Sequence, residues 1–159
     1  MEMRGKFTQA GESIHYFVVE FEDTTLAWSA FRGEVLGPTN PAEAPSGSLR
    51  GIVNADWEAL GLKSAPNTGD NAVHASASPF EGLAERTNWL ASKYTLQTDA
   101  FAVALKGVGI SEETMKAWSV DPQVPIPGAE GKKSLFDQVE DMDFDACVAK
   151  LKEINEASA

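Results

Sequence analysis

The order of apolar and polar positions predicts two β-strands, one near the N-terminus and one about two thirds of the way along the chain. Residues 17–22 combine aromatic and β-branched side chains in a partly alternating order, which is typical of a strand. Residues 100–105 form an almost uninterrupted apolar run, which predicts a buried strand. Residues 24–31 fit either a strand or a short helix. The prolines within residues 122–127 favour an extended segment, because each fixes its backbone and restricts the residue before it.

A strong helix start lies at Ser78. Ser78 is suited to the N-cap and Pro79 to the first helical position. Glu81 stands where a capping box places a glutamate that bonds back to the N-cap backbone. This helix is expected to run to about Ser92.

Two further helices are predicted towards the C-terminus. Ser111 is an N-cap for a short helix over residues 112–118. Asp143 is an N-cap for the last helix, whose apolar residues recur on one face. That face carries Phe144, Val148, Leu151 and Ile154.

The candidate chemistry lies between residues 37 and 89 and centres on His74. A proline- and glycine-punctuated loop over residues 37–51 opens this stretch, and loops of this length inside a domain are often functional. Imidazole is both an uncharged nucleophile and a proton carrier near neutral pH. By contrast, His15 stands in no motif and is interpreted as structural or exposed.

Two segments within this stretch, one at its start and one near its end, resemble the nucleoside diphosphate kinases. Residues 37–51 read Gly-Pro-Thr-Asn-Pro-Ala-Glu-Ala-Pro-Ser-Gly-Ser-Leu-Arg-Gly and match the loop of that family without a gap. Residues 71–78 read Asn-Ala-Val-His-Ala-Ser-Ala-Ser, and Glu85 follows His74 by eleven positions, as a glutamate does in the family. The family also favours a helix for residues 26–31, just before the loop.

The resemblance implies phosphotransfer through a phosphohistidine. It assigns His74 as the nucleophile that takes a γ-phosphoryl group. It assigns Glu85 as the residue that orients the imidazole, with help from Ser76. A histidine nucleophile divides the transfer into two half-reactions and gives ping-pong kinetics.

The resemblance also implies how a nucleotide is bound. Arg50 and Thr39 would contact the phosphates, and Asn71 the sugar and its neighbours. Arginine suits this role because its guanidinium presents a fork of donors to phosphate oxygens. Mg²⁺ is expected to arrive on the nucleotide, and no metal site made of protein ligands alone is predicted.

The chain departs from the family pattern at several positions. Gly33 stands where the family has a second arginine, and Arg32 is one place away. Ala75 and Ala77 replace a glycine and an aspartate, and Asp70 replaces an arginine. In addition, residues 52–70 contain an insertion with a predicted helical turn over residues 55–61, whose Trp57 and Leu60 are expected to pack on the host domain.

The opening half of the family, with its first strand, Lys-Pro-Asp-Gly turn and first helices, has no counterpart before Phe17. Two explanations stay open. In the first the domain is circularly permuted, so that residues 101–111 supply the strand, turn and helix, and Lys106 replaces the phosphate-binding lysine. In the second the module is degenerate, and its C-terminal half covers the core and provides a docking surface. An ordinary turn at Lys106 is the simpler reading of that segment.

Composition restricts the partners and the compartment. The net charge of −11 argues against a nucleic acid or an anionic membrane as the main partner, but not against a nucleotide. No apolar run is long enough to cross a bilayer and no secretory signal is visible, so a cytoplasmic protein is expected. Cys147 is the only cysteine, and we expect it to be a small core residue of the last helix.

We therefore expect one α/β (α+β) domain over residues 1–159, with a ferredoxin-like antiparallel sheet covered by helices. Residues 1–13 are predicted to be an arm, and residues 95–159 a divergent C-terminal half. Two functions are open. The first is a phosphotransferase that exchanges γ-phosphate between nucleoside di- and triphosphates. The second is an inactive binding module, either as a homo-oligomer or within a larger assembly.

Overall fold

The computed structural model describes residues 10–158, and the chain divides into two compact units. Unit 1 extends to Ala75 and unit 2 begins at Ser76. Helices and one two-stranded antiparallel sheet make up their regular structure, which confirms the mixed α+β class. Most of the predicted arm, residues 1–9, lies outside the described residues.

Unit 1 consists of short helical segments joined by long loops. Its described elements are α1 (Trp28–Ala30), which continues into a π-helix (Phe31–Leu36), a 3₁₀ helix (Pro41–Glu43) and α2 (Leu49–Ala55). The helix expected over residues 26–31 is thus present, but it starts later and runs further. The turn predicted over residues 55–61 is also present, with the Leu60 backbone N–H donating to the Asp56 carbonyl at 2.9 Å.

The strand predicted at residues 17–22 is wrong. No helix or ladder is formed there, and Phe17 is 88% exposed. The apolar pattern is that of a strand, but a strand needs a neighbour for its backbone donors and acceptors. Among residues 10–75 the only β-pairing that the structure contains is an isolated bridge between Asn67 and Asp70.

Unit 1 has almost no apolar interior. Among its described residues, Leu36 and Pro41 are the buried large apolar side chains. Phe21 is half-buried and stacks on Phe31 with ring centroids 5.1 Å apart. Leu60 of the insertion is exposed and Trp57 is half-buried.

Unit 2 contains five helices and the hairpin in its described residues. They are α3 (Pro79–Trp89), α4 (Ala100–Gly107), α5 (Glu112–Trp118), β1 (Gln123–Pro125), β2 (Lys132–Ser134), α6 (Leu135–Val139) and α7 (Phe144–Ala157). The two strands pair antiparallel, with Val124 opposite Lys133. The extended segment predicted from the prolines is therefore confirmed at β1.

The strand predicted at residues 100–105 is wrong, because this segment belongs to α4. The Asp99 carboxylate caps the helix by accepting from the backbone N–H groups of Phe101 and Ala102, at 3.0 and 3.4 Å. Leu105 is buried with Phe101 and Ala102, whereas Val103 is exposed, which is a helical pattern of burial. A short apolar run does not by itself distinguish a buried strand from a helix.

The other helix predictions for unit 2 hold in the main. The Ser78 hydroxyl caps α3 by accepting from the Glu81 N–H at 3.1 Å, and Ser111 caps α5. The Glu81 carboxylate bonds to the Ala77 N–H, one residue before the expected capping-box donor. The helix ends at Trp89 rather than near residue 92, and Asp143 stands at the N-cap of α7 without a capping hydrogen bond from its side chain to the helix backbone.

A single apolar core holds unit 2 together. All five of its helices and β1 contribute buried side chains to it. The Phe80 ring lies at the centre, edge-on to Trp118 and Phe136 at 6.1 Å from each. Cys147 is fully buried in this core, as expected. Within residues 10–158, no helix has both the length and the apolar character needed to cross a bilayer.

Candidate functional site

The predicted site residues are divided between the two units. Unit 1 holds those of the loop and the histidine segment, and unit 2 holds those that follow. The first group is Thr39, Arg50, Asn71 and His74, and the second is Ser76, Glu85 and Lys106.

The loop of unit 1 begins at a glycine that no other residue replaces without strain. Gly37 has φ of +95°, in the region that disfavours residues with a side chain. A Cβ at this position would also lie 2.6 Å from the Ser48 hydroxyl oxygen. The start of the loop therefore packs against its end, which closes residues 37–51 into a compact unit.

The end of the loop is fixed by Ser48 at the N-cap of α2. The buried Ser48 hydroxyl donates to the Pro45 carbonyl at 2.7 Å and accepts from the Gly51 N–H at 3.1 Å. Gly51 packs so tightly that a Cβ would lie 2.0 Å from the same carbonyl oxygen. The glycine and serine positions of the motif thus fold the loop and set the first turn of α2, which carries Arg50.

Arg50 joins the loop to the histidine segment within unit 1. One terminal guanidinium nitrogen donates to the Gly37 carbonyl at 2.7 Å, and the other donates to the Val73 carbonyl at 2.8 Å. Its Nε is buried and has no hydrogen-bond partner in the described part of the chain. Because Val73 directly precedes His74, the guanidinium lies beside the backbone of the predicted nucleophile.

Asn71 makes a second, weaker tie between the same segments. Its amide donates to the Thr39 carbonyl at 3.2 Å. Asn40 stabilises the loop locally, because its side-chain oxygen accepts from the Ala42 N–H at 3.3 Å. His74 itself is exposed and lies outside any helix or strand. The structure thus brings Thr39 and Asn71 together and places Arg50 beside the His74 backbone.

Arg32 lies near Arg50 in unit 1, although the sequence did not predict it as a site residue. It lies in the π-helix and close enough to Arg50 that its charge acts on that residue. Burial, and then repulsion by Arg32, lower the pKa of Arg50 below its ordinary value. The sequence signal was present, because Arg32 stands one place from the arginine of the family pattern. A gap-free alignment hides this, since it does not anticipate a π-helical turn.

In unit 2 the carboxylate of Glu85 is held by Ser76. The Ser76 hydroxyl donates to Glu85 Oε2 at 2.5 Å. Glu81 lies one helical turn earlier on α3 and is held by the Ala77 N–H. These two carboxylates offer oxygen ligands of the kind that Mg²⁺ prefers. Ser76 and Glu85, the two residues that the resemblance assigns to orienting His74, are therefore hydrogen-bonded to each other in unit 2.

Lys106 lies on α4, and its ammonium group is 3.4 Å from the Glu112 carboxylate. The permutation hypothesis needed a strand before Lys106, and residues 100–105 form a helix instead. It also needed a strand at residues 17–22, which is absent. The permutation hypothesis therefore loses the two strands on which it was built, and Lys106 forms an ion pair within unit 2.

Comparison of the chain with family models, with curated proteins and with solved structures finds no match.

Proposed function

We propose that the chain is a nucleoside diphosphate kinase-like phosphotransferase in which unit 1 binds nucleotide phosphates and His74 carries the phosphoryl group. The observation that carries this proposal is the position of Arg50, whose guanidinium joins the start of the loop to the residue before His74. A phosphate bound at this guanidinium would lie close to the segment that presents the imidazole.

The local positive charge of Arg32 and Arg50 favours an anionic ligand. Arg32 and Arg50 lie close enough for mutual repulsion, which a bound phosphate would relieve. The two bonds of Arg50 to carbonyls use two of the five N–H donors of a guanidinium, and the Nε–H is buried, so two donors are left for a ligand. Arginine forks of this kind recognise phosphate by paired hydrogen bonds.

The π-helix supports the assignment of Arg32 to the same site. Its hydrogen bonds span five residues instead of four, so it accommodates one extra residue per turn. Arg32 stands five residues before Gly37, and the family arginine stands four before the corresponding glycine. The wide turn over Phe31–Leu36 therefore gives Arg32 the angular position that the family arginine has in an ordinary helix.

The reaction proceeds in two balanced half-reactions. An imidazole nitrogen of His74 attacks the γ-phosphorus of a nucleoside triphosphate, and the bond to the β-γ bridging oxygen breaks. The nucleoside diphosphate leaves and the phosphoryl group stays on His74. A second nucleoside diphosphate then attacks with a terminal phosphate oxygen and takes the phosphoryl group. Mg²⁺ enters as part of the nucleotide substrate. The proposal also includes the ferredoxin-like sheet that the resemblance implies.

The test is the transfer of label from γ-labelled ATP to the chain. We expect an acid-labile, base-stable label at saturating Mg-ATP, and we expect His74→Ala to abolish it. The chain has two histidines, so His15→Ala is a matched control that removes the other imidazole and should retain the label. Arg50→Lys should reduce labelling, because lysine has no fork with which to hold both carbonyls.

Two results would contradict the proposal. One is the absence of label on folded wild-type chain at saturating Mg-ATP. The other is label that survives His74→Ala and disappears with His15→Ala. Addition of an unlabelled nucleoside diphosphate should remove the label, and a label that persists would exclude the second half-reaction.

A second function, an assembly module without catalysis, is favoured by a different observation. Unit 1 exposes most of its large apolar side chains, including five within residues 14–19. Exposed apolar surface of this extent is typical of a partner interface. A folded chain that neither binds nor transfers phosphate, but that forms a complex through unit 1, would support this second function over the first.

A further inference from the structure

Residues 14–19, here called the apolar segment, expose nearly every large side chain that they contain. Phe17 is 88% exposed, and the remaining apolar side chains are between 47 and 55% exposed. These are Ile14, Tyr16, Val18 and Val19. Single exposed apolar residues need no explanation, but five within six positions mark an interaction surface.

The backbone of the apolar segment is exposed as well. In the part of the chain that the structure describes, residues 14–19 make no backbone hydrogen bond with another segment and belong to no helix or ladder. Unpaired backbone donors and acceptors next to β-branched and aromatic side chains are a template for another strand. The segment is therefore suited to strand addition.

The segment is held in place at its C-terminal end. The Phe21 ring stacks on Phe31 and lies 5.6 Å from the Trp28 ring, centroid to centroid. Shortly after it, the Thr25 N–H donates to the Glu22 carbonyl at 2.9 Å and closes a turn. Anchorage of this kind lowers the conformational entropy that a partner must remove on binding.

Alternation along the apolar segment shows what must cover it. In an extended strand, Tyr16 and Val18 lie on one face, and Phe17 and Val19 lie on the other. A strand that is apolar on both faces is typical of the interior of a sheet. The partner must therefore offer apolar side chains on both faces of its own strand.

Charge identifies the kind of partner. Between Ala10 and Phe31 the chain contains no lysine or arginine, whereas four carboxylates flank the apolar segment. These are Glu12, Glu20, Glu22 and Asp23. A second copy of the chain would bring the same carboxylates to the pairing and a further net charge of −11. Opposite charges across a strand pair stabilise it, and like charges destabilise it.

We propose that residues 14–19 bind an extended apolar strand of another polypeptide, with lysine or arginine at its ends, by strand addition. This partner gives the second, assembly function a defined binding surface, and it does not depend on whether His74 reacts. The apolar centre of the partner provides the buried area, and its basic ends pair with the flanking carboxylates.

The experiment measures the binding of two fluorescent peptides to the whole chain by anisotropy. Both have the same alternating Val-Thr-Val-Phe-Val centre, and one has two lysines at each end where the other has two glutamates. We expect the lysine peptide to bind about tenfold more tightly at low salt, as three favourable cross-strand pairs would give, one with Glu12 and two with the carboxylates of residues 20–23. The difference should shrink as salt is added.

Two variants locate the binding. Phe17→Ser removes the most exposed ring, and Val18→Pro removes a backbone donor. Both should weaken binding of the lysine peptide about tenfold or more. Val120→Ser is the matched control, because Val120 is 80% exposed on unit 2, and it should leave the affinity unchanged. Hydrogen exchange should show new protection of the amides of residues 14–19 when the peptide is bound.

Several outcomes would overturn the proposal. Equal affinity for the two peptides would show that charge does not select the partner, and the absence of protection at residues 14–19 would place the binding elsewhere. Sedimentation of the free chain as a dimer with these amides protected would make a second copy the occupant. Binding to phosphatidylcholine or phosphatidylserine vesicles without peptide binding would make it a lipid surface. His74→Ala should bind the peptide normally, so failure here and failure of phosphotransfer are separate results.

Discussion

The two units of the chain differ in where their apolar side chains lie. Unit 2 buries an aromatic and aliphatic core drawn from five helices and one strand. Unit 1 buries Leu36 and Pro41 among its large apolar side chains, and it exposes Leu49, Ile52 and the apolar segment. Unit 1 is organised instead by backbone and polar contacts around its loop. The hydrophobic effect therefore stabilises unit 2 directly, whereas unit 1 depends on close packing of the loop and on its hydrogen bonds.

This difference matches the division of chemistry between the units. Loops that carry function have to expose their polar groups, and they are commonly positioned by a rigid support. In unit 1 that support is the Arg50 guanidinium together with two closely packed glycines, Gly37 and Gly51. Because few apolar contacts back it up, the loop should be sensitive to changes of a single atom.

The largest expected effect is on the core of unit 2. Leu105 is fully buried, so Leu105→Ala should lower the free energy of unfolding by about 2 to 5 kcal/mol. Leu49 on α2 of unit 1 is 46% exposed, so Leu49→Ala should change it by less than about 0.5 kcal/mol. Urea denaturation followed by circular dichroism measures both. Similar losses for the two leucines would show that the contrast between the units is false.

The next effect compares two glycines of the loop in unit 1. Gly51→Ala should destabilise the loop by about 1 to 3 kcal/mol, because its Cβ would lie 2.0 Å from the Pro45 carbonyl oxygen. That oxygen is held by the Ser48 hydroxyl, and the clash outweighs the gain of about 1 kcal/mol that alanine brings to a helix. Limited proteolysis within residues 37–51 should accelerate in this variant.

The matched control for Gly51 is Gly47. A Cβ at Gly47 would meet nothing within 4 Å, and its backbone φ is not positive. Gly47→Ala should therefore slow proteolysis slightly, because it restricts the unfolded chain by about 0.4 to 1 kcal/mol. Faster proteolysis of Gly51→Ala together with slower proteolysis of Gly47→Ala would locate the tight packing at the start of α2. Equal acceleration in both variants would argue against it.

The sequence predicted correctly those features that depend only on neighbouring residues. The caps at Ser78 and Ser111 were predicted correctly, because a cap needs only the residues next to it. Family spacing singled out Ser76 and Glu85, and an N-cap followed by a helix brings these two side chains together, although their expected action on His74 stays a prediction. The loop and histidine motifs also came from the sequence, although their chemistry stays a prediction.

The failures share a dependence on non-local structure. Residues 17–22 have the composition of a strand but no partner strand among residues 10–75, and composition does not report a missing neighbour. Residues 100–105 form a helix because Asp99 caps them and the core of unit 2 buries one face. Arg32 was left out of the predicted site because a gap-free alignment does not anticipate a π-helical turn. The ion pair between Arg86 and Asp99 was not predicted for a related reason, since this 2.8 Å contact depends on how α3 and α4 pack.

The smallest effect concerns Cys147 in the core of unit 2. Burial raises the pKa of its thiol from 9.0 to about 12, against a hydrogen bond with the Phe80 backbone that lowers it. Because the thiol of the unfolded chain ionises first, the buried neutral thiol contributes stability to the folded chain. That contribution is fully present below about pH 9 and is lost as the pH rises towards 12. At pH 10 the loss is about 1 kcal/mol.

Cys147→Ala isolates that contribution, because lysine and tyrosine ionisation is common to both proteins. The stability advantage of wild type over this variant should narrow by about 1 kcal/mol between pH 8 and pH 10. Guanidinium denaturation at the two pH values measures it, and a thiol reagent should react with the native chain only on unfolding. A constant advantage, or fast reaction of native chain, would mean that the core around Cys147 admits water. The contrast with the open surface of unit 1 would then be weaker than the burial of Cys147 indicates.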